Sequence, residues 1–229
     1  RIAQRSYKHV PDSIEFGLVR AKIKAYDDTP GAAVSDFAAQ LKSGKYSRET
    51  DARFGHAYAL LRDNQIAAAE AELANLRRLK LESPLLENLA AQLRLKRKDT
   101  AGALRILRAA AQRYPHARAL TYALIETKIG AGSTAAADAL PMIQKELQLT
   151  PGDARLYILQ AKAHAAQGRR LLQHRALAEA YLTEGQLEAA ILQLELARQA
   201  GDADFYEQSE VDARLRELRQ RKLEEMRRR

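Results

Sequence analysis

The chain has 229 residues, of which 46% are hydrophobic but only 6% aromatic, with no Trp, no Cys and a formal net charge of +9. The lack of Cys excludes disulfides and thiol chemistry, and no apolar run approaches the roughly 18 residues of a membrane-spanning helix. Runs of β-branched and aromatic residues at period two are missing, so an Ala- and Leu-rich core of close-packed helices is expected rather than a sheet.

In chain order, residues 1–10 carry no period and read as an incoming linker. The chain begins at Arg1 rather than at a methionine, so a longer precursor is expected, with any signal peptide already removed. Pro11-Asp12 opens a helix, with Asp12 and Glu15 placed for a capping box, and Phe16, Val19, Ile23 and Tyr26 make one apolar stripe at helical spacing. Thr29-Pro30 opens a second helix whose buried face is Val34, Phe37, Ala38 and Leu41, and Gly44 stops it. Helices follow over 48–62, 66–79, from Ser83-Pro84, and over 100–113. Next comes an irregular stretch with Leu120, Ala123 and Ile129, the glycine-rich Gly130-Ala131-Gly132-Ser133 and a Pro141 that should kink the next helix or delay its start. Pro151-Gly152-Asp153 resets the pattern. Tyr157 and Ala161 mark one helix, Ala178 and Tyr181 the next, and Leu194 and Ala197 a third that Gly201 ends. From Phe205 to Arg229 the chain is helical again, with Val211, Leu215, Leu218 and Met226 as a narrow stripe among charges.

One pattern recurs at a fixed offset. Ala57 returns as Ala91, Ala69 as Ala103, Leu73 as Leu107 and Leu76 as Ala110, each 34 residues on, and Pro115 closes the second copy. A third copy runs through Ala178, Tyr181, Gly185, Ala190, Leu194 and Ala197. The period and the small residues at the helix crossings resemble the tetratricopeptide repeat (TPR), a helix–turn–helix unit that stacks into a solenoid. Because Ala161 and Ala178 are 17 residues apart, half a repeat, the helix near 170–183 should serve two units, as second helix of one and first of the next. The fold class expected is an all-α, TPR-like α-solenoid of about eleven helices in a curved array, with a charged C-terminal capping helix. Its organisation would be a linker and atypical hairpin over 1–46, repeats over 47–83, 84–115, 116–151 and 152–201, and a basic cap over 202–229.

No catalytic constellation is present. His9, His56, His116, His164 and His174 are scattered without ligand spacing, and no His is followed by Glu as in H-E-x-x-H. His56 and His164 are expected on solvated or groove faces. There is no C-x-x-C, Walker A or G-x-G-x-x-G, so neither a cofactor nor a metal is expected in this chain. Arg214–Arg229 holds eight basic and three acidic residues, +5 of the +9, so the basicity is that of a tail. With no aromatic in that tail to stack bases, nucleic acid is not an expected partner.

Several strings resemble the C-terminal part of BepA-like periplasmic zinc metalloproteases, in the same order along nearly the whole chain. Arg1-Ile2-Ala3 resembles the exit of the protease domain, and residues 13–22 (Ser13 to Lys22) the helix that follows it. Phe54-Gly55-His56-Ala57 resembles that family's first repeat and residues 212–220 its closing helix. The resemblance implies an attached N-terminal H-E-x-x-H protease domain, zinc only in that domain, a periplasmic location, and action in assembly and quality control of outer-membrane proteins. Partners would be protein or peptide clients, the chain's own protease domain and outer-membrane assembly machinery.

In repeat phase, the inward positions of the first helices are Tyr58 and Arg62, then Asn88, Gln92 and Lys96, then Lys128, then Lys162. These are the candidate groove residues of a protein-binding scaffold: amides can hold a peptide backbone, and cations can meet carboxylates. The alternatives are a generic TPR adaptor without a protease, or attachment to an anionic surface through the basic C-terminal helix.

Overall fold

The computed structural model describes residues 13–202 and 204–228. The expected linker over 1–10, the Pro11-Asp12 opening, His9 and Arg229 lie outside the described residues. Thirteen helical segments and no strand occur among the described residues. The fold is all-α, made of helical hairpins, and it divides into two compact units, Arg1–Leu120 and Thr121–Arg229.

The first unit holds α1 (Ile14–Asp27), α2 (Pro30–Ser43), α3 (Glu49–Arg62), α4 (Ile66–Arg78), α5 (Pro84–Lys96) and α6 (Thr100–Arg113). All eight residues of the 34-residue correspondence are buried, with Ala57, Ala69, Leu76 and Ala103 fully so. Small residues at these crossings let α3 close on α4 and α5 on α6, and each larger residue one turn along fills the space between them. The turns repeat as well. Asn64 and Lys98, 34 positions apart, both take left-handed backbone (φ 60° and 61°) between the two helices of their hairpins. Caps are local: Ser83 accepts from Leu85 N–H (3.2 Å) and Asp99 from Gly102 N–H (2.8 Å).

Three details differ from the sequence reading. Ser13, not Asp12, caps α1, its hydroxyl accepting from Phe16 N–H at 3.1 Å. The packed face of α1 is Gly17, Leu18, Ala21 and Ala25; the stripe of Phe16, Val19, Ile23 and Tyr26 faces out, 42–57% exposed. On α2, Phe37 and Ala33 are buried, Val34 and Leu41 half-buried, and Ala38 exposed. The cause is close approach: α1 and α2 both pack on α3 more than on one another. Phe37 lies so near Gly55 that a Cβ there would be 2.3 Å from its ring.

The second unit holds α7 (Arg118–Gly130, whose first turn precedes the division), α8 (Ser133–Ala137), α9 (Leu140–Leu149), α10 (Ala154–Ala166), α11 (Arg170–Thr183), α12 (Leu187–Gln199) and α13 (Phe205–Arg228). Pro141 acts as expected: the helix breaks after five residues and restarts with the proline in its first turn. The break adds a segment to the helix count. Tyr122, Ile125, Ile143, Leu156 and Leu159 form one buried cluster across the break. Tyr122 O–H donates to the α10 cap Asp153 at 2.5 Å. Helix α11 packs against α10 on one side and α12 on the other, so it does serve two hairpins. Val211, Leu215 and Leu218 of α13 are buried, whereas Met226 is 65% exposed.

Candidate binding surface

The candidate residues separate by unit. Tyr58, Arg62, Asn88, Gln92 and Lys96 belong to the first; Lys128 and Lys162 belong to the second. Within the first, three side chains meet across α3 and α5. Gln92 Nε2 donates to Asn88 Oδ1 (3.0 Å) and reaches the Tyr58 hydroxyl (3.5 Å). Tyr58 itself is 0% exposed, its ring edge-on to Phe54 at 5.0 Å and covered by Lys22 Nζ at 4.9 Å. It is therefore a core residue that braces the amides from beneath, not a side chain a client could touch. Burial, with a smaller contribution from nearby Tyr26, holds its phenol well above the usual tyrosine range. Burial also lowers the ammonium of Lys22.

Arg62 has a structural task. Its guanidinium donates to the carbonyls of Ala25 and of Asp28 (3.1 Å for the latter) and stacks over the Tyr26 ring at 4.6 Å. It thereby satisfies the terminal carbonyls of α1 and pins that helix along α3. At the other end, Arg48 donates to Ser13 C=O (3.0 Å) and Glu15 accepts from the Ser83 hydroxyl (3.4 Å). So α1 runs along α3, with its start beside the start of α5. Its outward row of Phe16, Val19, Ile23 and Tyr26 stands on the same helix as Lys22, which covers the Tyr58 ring. The sequence reading did not single out Lys22 or the exposure of that row. The available signal was the spacing of Gly17, Ala21 and Ala25, four residues apart, which marks the side of close helix packing.

Lys96 is exposed. Lys128 Nζ lies 3.4 Å from the Asp138 carbonyl, and Lys162 is exposed on α10. Of the two histidines expected on solvated or groove faces, neither is fully solvated. His56 is partly buried, 3.3 Å from Glu72, whose other oxygen takes Arg53 at 3.0 Å. Although burial pushes the Glu72 carboxyl up, hydrogen bonds from His56, Arg53 and Asn75 hold it down at about 2. His164 is 7% exposed, and its Nδ1 has no partner. Burial, then Arg169 and Arg175, lower its imidazole to about 4.

Among the described residues no three His, Cys, Asp or Glu side chains are grouped as a metal site. At His56–Glu72 the place of a third ligand is taken by the Arg53 cation, so zinc does not fit there. No helix among the described residues is long and apolar enough to cross a membrane. Four of the tail's eight basic residues are ion-paired: Arg214 with Glu179 (2.9 Å), Arg219 with Glu195 (2.6 Å), Arg221 with Glu225 (3.0 Å) and Lys222 with Glu188 (3.6 Å).

No protein-family model matches the chain. No curated protein matches it either. Among solved structures, the crystal structure of YrrB, described as a TPR protein with an unusual peptide-binding site, is similar at a TM-score of 0.44 and 14% identity, over 88% of this chain and 92% of that one.

Proposed function

We propose that the chain is a protein-binding scaffold that docks a client segment against α1 and the Asn88–Gln92 edge of α5. The observation that carries this reading is the apolar row on α1. Four large side chains stand out from one face of α1, and on α5 an amide pair is held by a buried tyrosine that α1 covers through Lys22. Such a row, rimmed by polar groups, is what an amphipathic or extended client segment covers. No catalytic step is assigned to the chain.

The test is client affinity at low and high salt. Val19→Asp with Ile23→Asp should abolish capture, and Asn88→Ala with Gln92→Ala should weaken it, at both salts. Both aspartate sites are exposed, so the fold should persist. Tail attachment would behave oppositely, falling as the Debye length shrinks from about 10 Å at 0.1 M to about 3 Å at 1 M. If only neutralising the tail matters, the scaffold reading is wrong. The ion pairs on Arg214, Arg219, Arg221 and Lys222 already spend much of the tail's charge within the molecule.

On the resemblance of residues 13–22, 54–57 and 212–220, we further propose that this scaffold is the C-terminal domain of a BepA-like periplasmic zinc metalloprotease. In that reading it presents outer-membrane protein clients to a zinc site in a preceding domain, or docks that domain to assembly machinery. The codons upstream of Arg1 test it: an H-E-x-x-H motif should precede the chain, and its absence there overturns the protease link while leaving the scaffold untouched. Cell fractionation should recover the protein from the periplasm.

A further inference from the structure

A cavity of about 330 Å³ lies within the second unit, between the end of α9, α10 and α11. One face of α10 supplies its polar wall: Tyr157, Gln160 and His164, three and four residues apart and so in line along the helix. None of these three side chains makes a hydrogen bond among the described residues. Tyr157 and Gln160 are half-buried, and their hydroxyl and amide stay open to the cavity. His164 is 7% exposed, with Nδ1 closed in and unpartnered. Buried polar groups are nearly always partnered, so this wall carries hydrogen-bonding capacity that the chain's own atoms leave unused. The facing walls are apolar, from the half-buried Leu147 and Leu172. The two ions that reach the cavity are already neutralised: Glu179 takes Arg214 through both oxygens (3.0 and 2.9 Å), and Arg175 pairs with Glu210. Burial, then Glu179, raises the Tyr157 phenol, so it keeps a proton to donate.

We propose that this cavity binds the main chain of an uncharged, extended client segment, with Gln160 and Tyr157 hydrogen-bonding its peptide groups and an apolar client side chain between Leu147 and Leu172. This inference rests on reading the chain as a protein-binding scaffold and adds what its client presents: backbone and an apolar side chain rather than charge. A primary amide carries both a donor and an acceptor, the pair that a peptide unit needs, and a phenol can give or accept. The length agrees. Tyr157 to His164 rises about 10 Å at 1.5 Å per residue, which is about three residues of extended chain at roughly 3.3 Å each. An ionised client residue is disfavoured, because the cavity's own charges are spent on one another's partners and nothing offsets its desolvation. The imidazole of His164 ends the row and lies beside the bound segment. The site is separate from the row on α1, which belongs to the first unit.

The experiment uses the whole chain, with the side-chain amide of Gln160 and the ring nitrogens of His164 followed by NMR. Three probes are titrated to millimolar concentration: N-acetyl-Leu-Ala-Leu-carboxamide, the same molecule with its Ala N–H replaced by an ester oxygen, and the same peptide with Asp in place of Ala. The first should saturate and move both reporters. The ester and the Asp peptide should each bind at least fivefold more weakly. Gln160→Met, close in volume, should weaken the first probe at least tenfold, and Tyr157→Phe several-fold, with thermal midpoints within a few degrees of the natural chain. The lack of a saturable shift would overturn the proposal, as would an ester or Asp probe binding as tightly as the first, or unchanged affinity in Gln160→Met. Client capture that survives such a failure but is lost on Val19→Asp with Ile23→Asp removes this cavity and keeps the scaffold.

Discussion

The hydroxyl of Tyr58 lies 3.5 Å from Nε2 of Gln92, and the two residues are 34 positions apart. One repeat therefore braces the next through the same position of its first helix. Tyr58→Phe should cost about 1 kcal/mol, the worth of one intramolecular hydrogen bond, and Tyr58→Ala about 3–5 kcal/mol through the cavity it leaves. Because burial raises the phenol, the folded state keeps its proton where the unfolded chain releases it. Stability from this group is present below the ordinary tyrosine range near 10 and is lost as pH climbs above it. Chemical denaturation between pH 8 and 11 should show a decline that Tyr58→Phe reduces; an unchanged slope would refute the assignment.

Glu72 gives the opposite sign. Its carboxyl is held at about 2 by His56, Arg53 and Asn75 against the push of burial. The stability it contributes is present above the ordinary carboxylate range near 4.3 and is lost as pH falls from there through about 2. Glu72→Gln should cost about 1–3 kcal/mol at pH 7, by leaving the partly buried Arg53 and His56 poorly matched. The difference from the natural chain should vanish in acid-unfolding curves near pH 2. A difference constant with pH would show that packing, not charge, sets the loss.

His164 is buried with Nδ1 unpartnered and its imidazole lowered to about 4. The folded state keeps it neutral while the unfolded chain takes up a proton below about 6.5. Stability is therefore full above that value and falls as pH drops through about 4. His164→Leu should flatten this decline and, having no orphaned nitrogen, lose little or gain at pH 7. A steeper decline in the variant would mean that the ring is paired in solution.

Lys98 holds left-handed backbone at φ 61° in the turn between α5 and α6. A side chain there is strained by roughly 1–2 kcal/mol, and Lys98→Gly should recover about 1 kcal/mol of it in a thermal melt. The gain should be similar at Asn64 or smaller, since Asn tolerates this conformation. Destabilisation at both sites would show that backbone freedom in the unfolded chain outweighs the strain.

The stacked hairpins were legible because their signal is composition at a period: Ala57 and Ala91, or Ala69 and Ala103, can only recur where backbones must nearly touch. The same reasoning misplaced α1. Phe16, Val19, Ile23 and Tyr26 make the louder stripe, but a helix against a close neighbour buries its smallest face, here Gly17, Ala21 and Ala25. Of the candidate site, Asn88 and Gln92 fell together as their spacing required. Tyr58 did not stay on the surface, because repeat phase gives direction and not depth: α1 and Lys22 cover what would otherwise be a groove floor. His164 was unreadable for a related reason, since its burial depends on how closely the neighbouring helix α11 covers that side of α10.

Helix α11 is shared between α10 and α12, and this sets how the second unit can change over time. An array whose hairpins are separate can grow or shrink by whole repeats, each excision rejoining matched faces. Here α10 and α12 each cover one side of α11, so the loss of either would leave some of Leu171, Ala176, Ala178 and Ala180 with water on a side built for a neighbour. A deletion of 34 residues between α10 and α12 should therefore destabilise the second unit. The separate hairpins α3–α4 and α5–α6 keep the option of duplication.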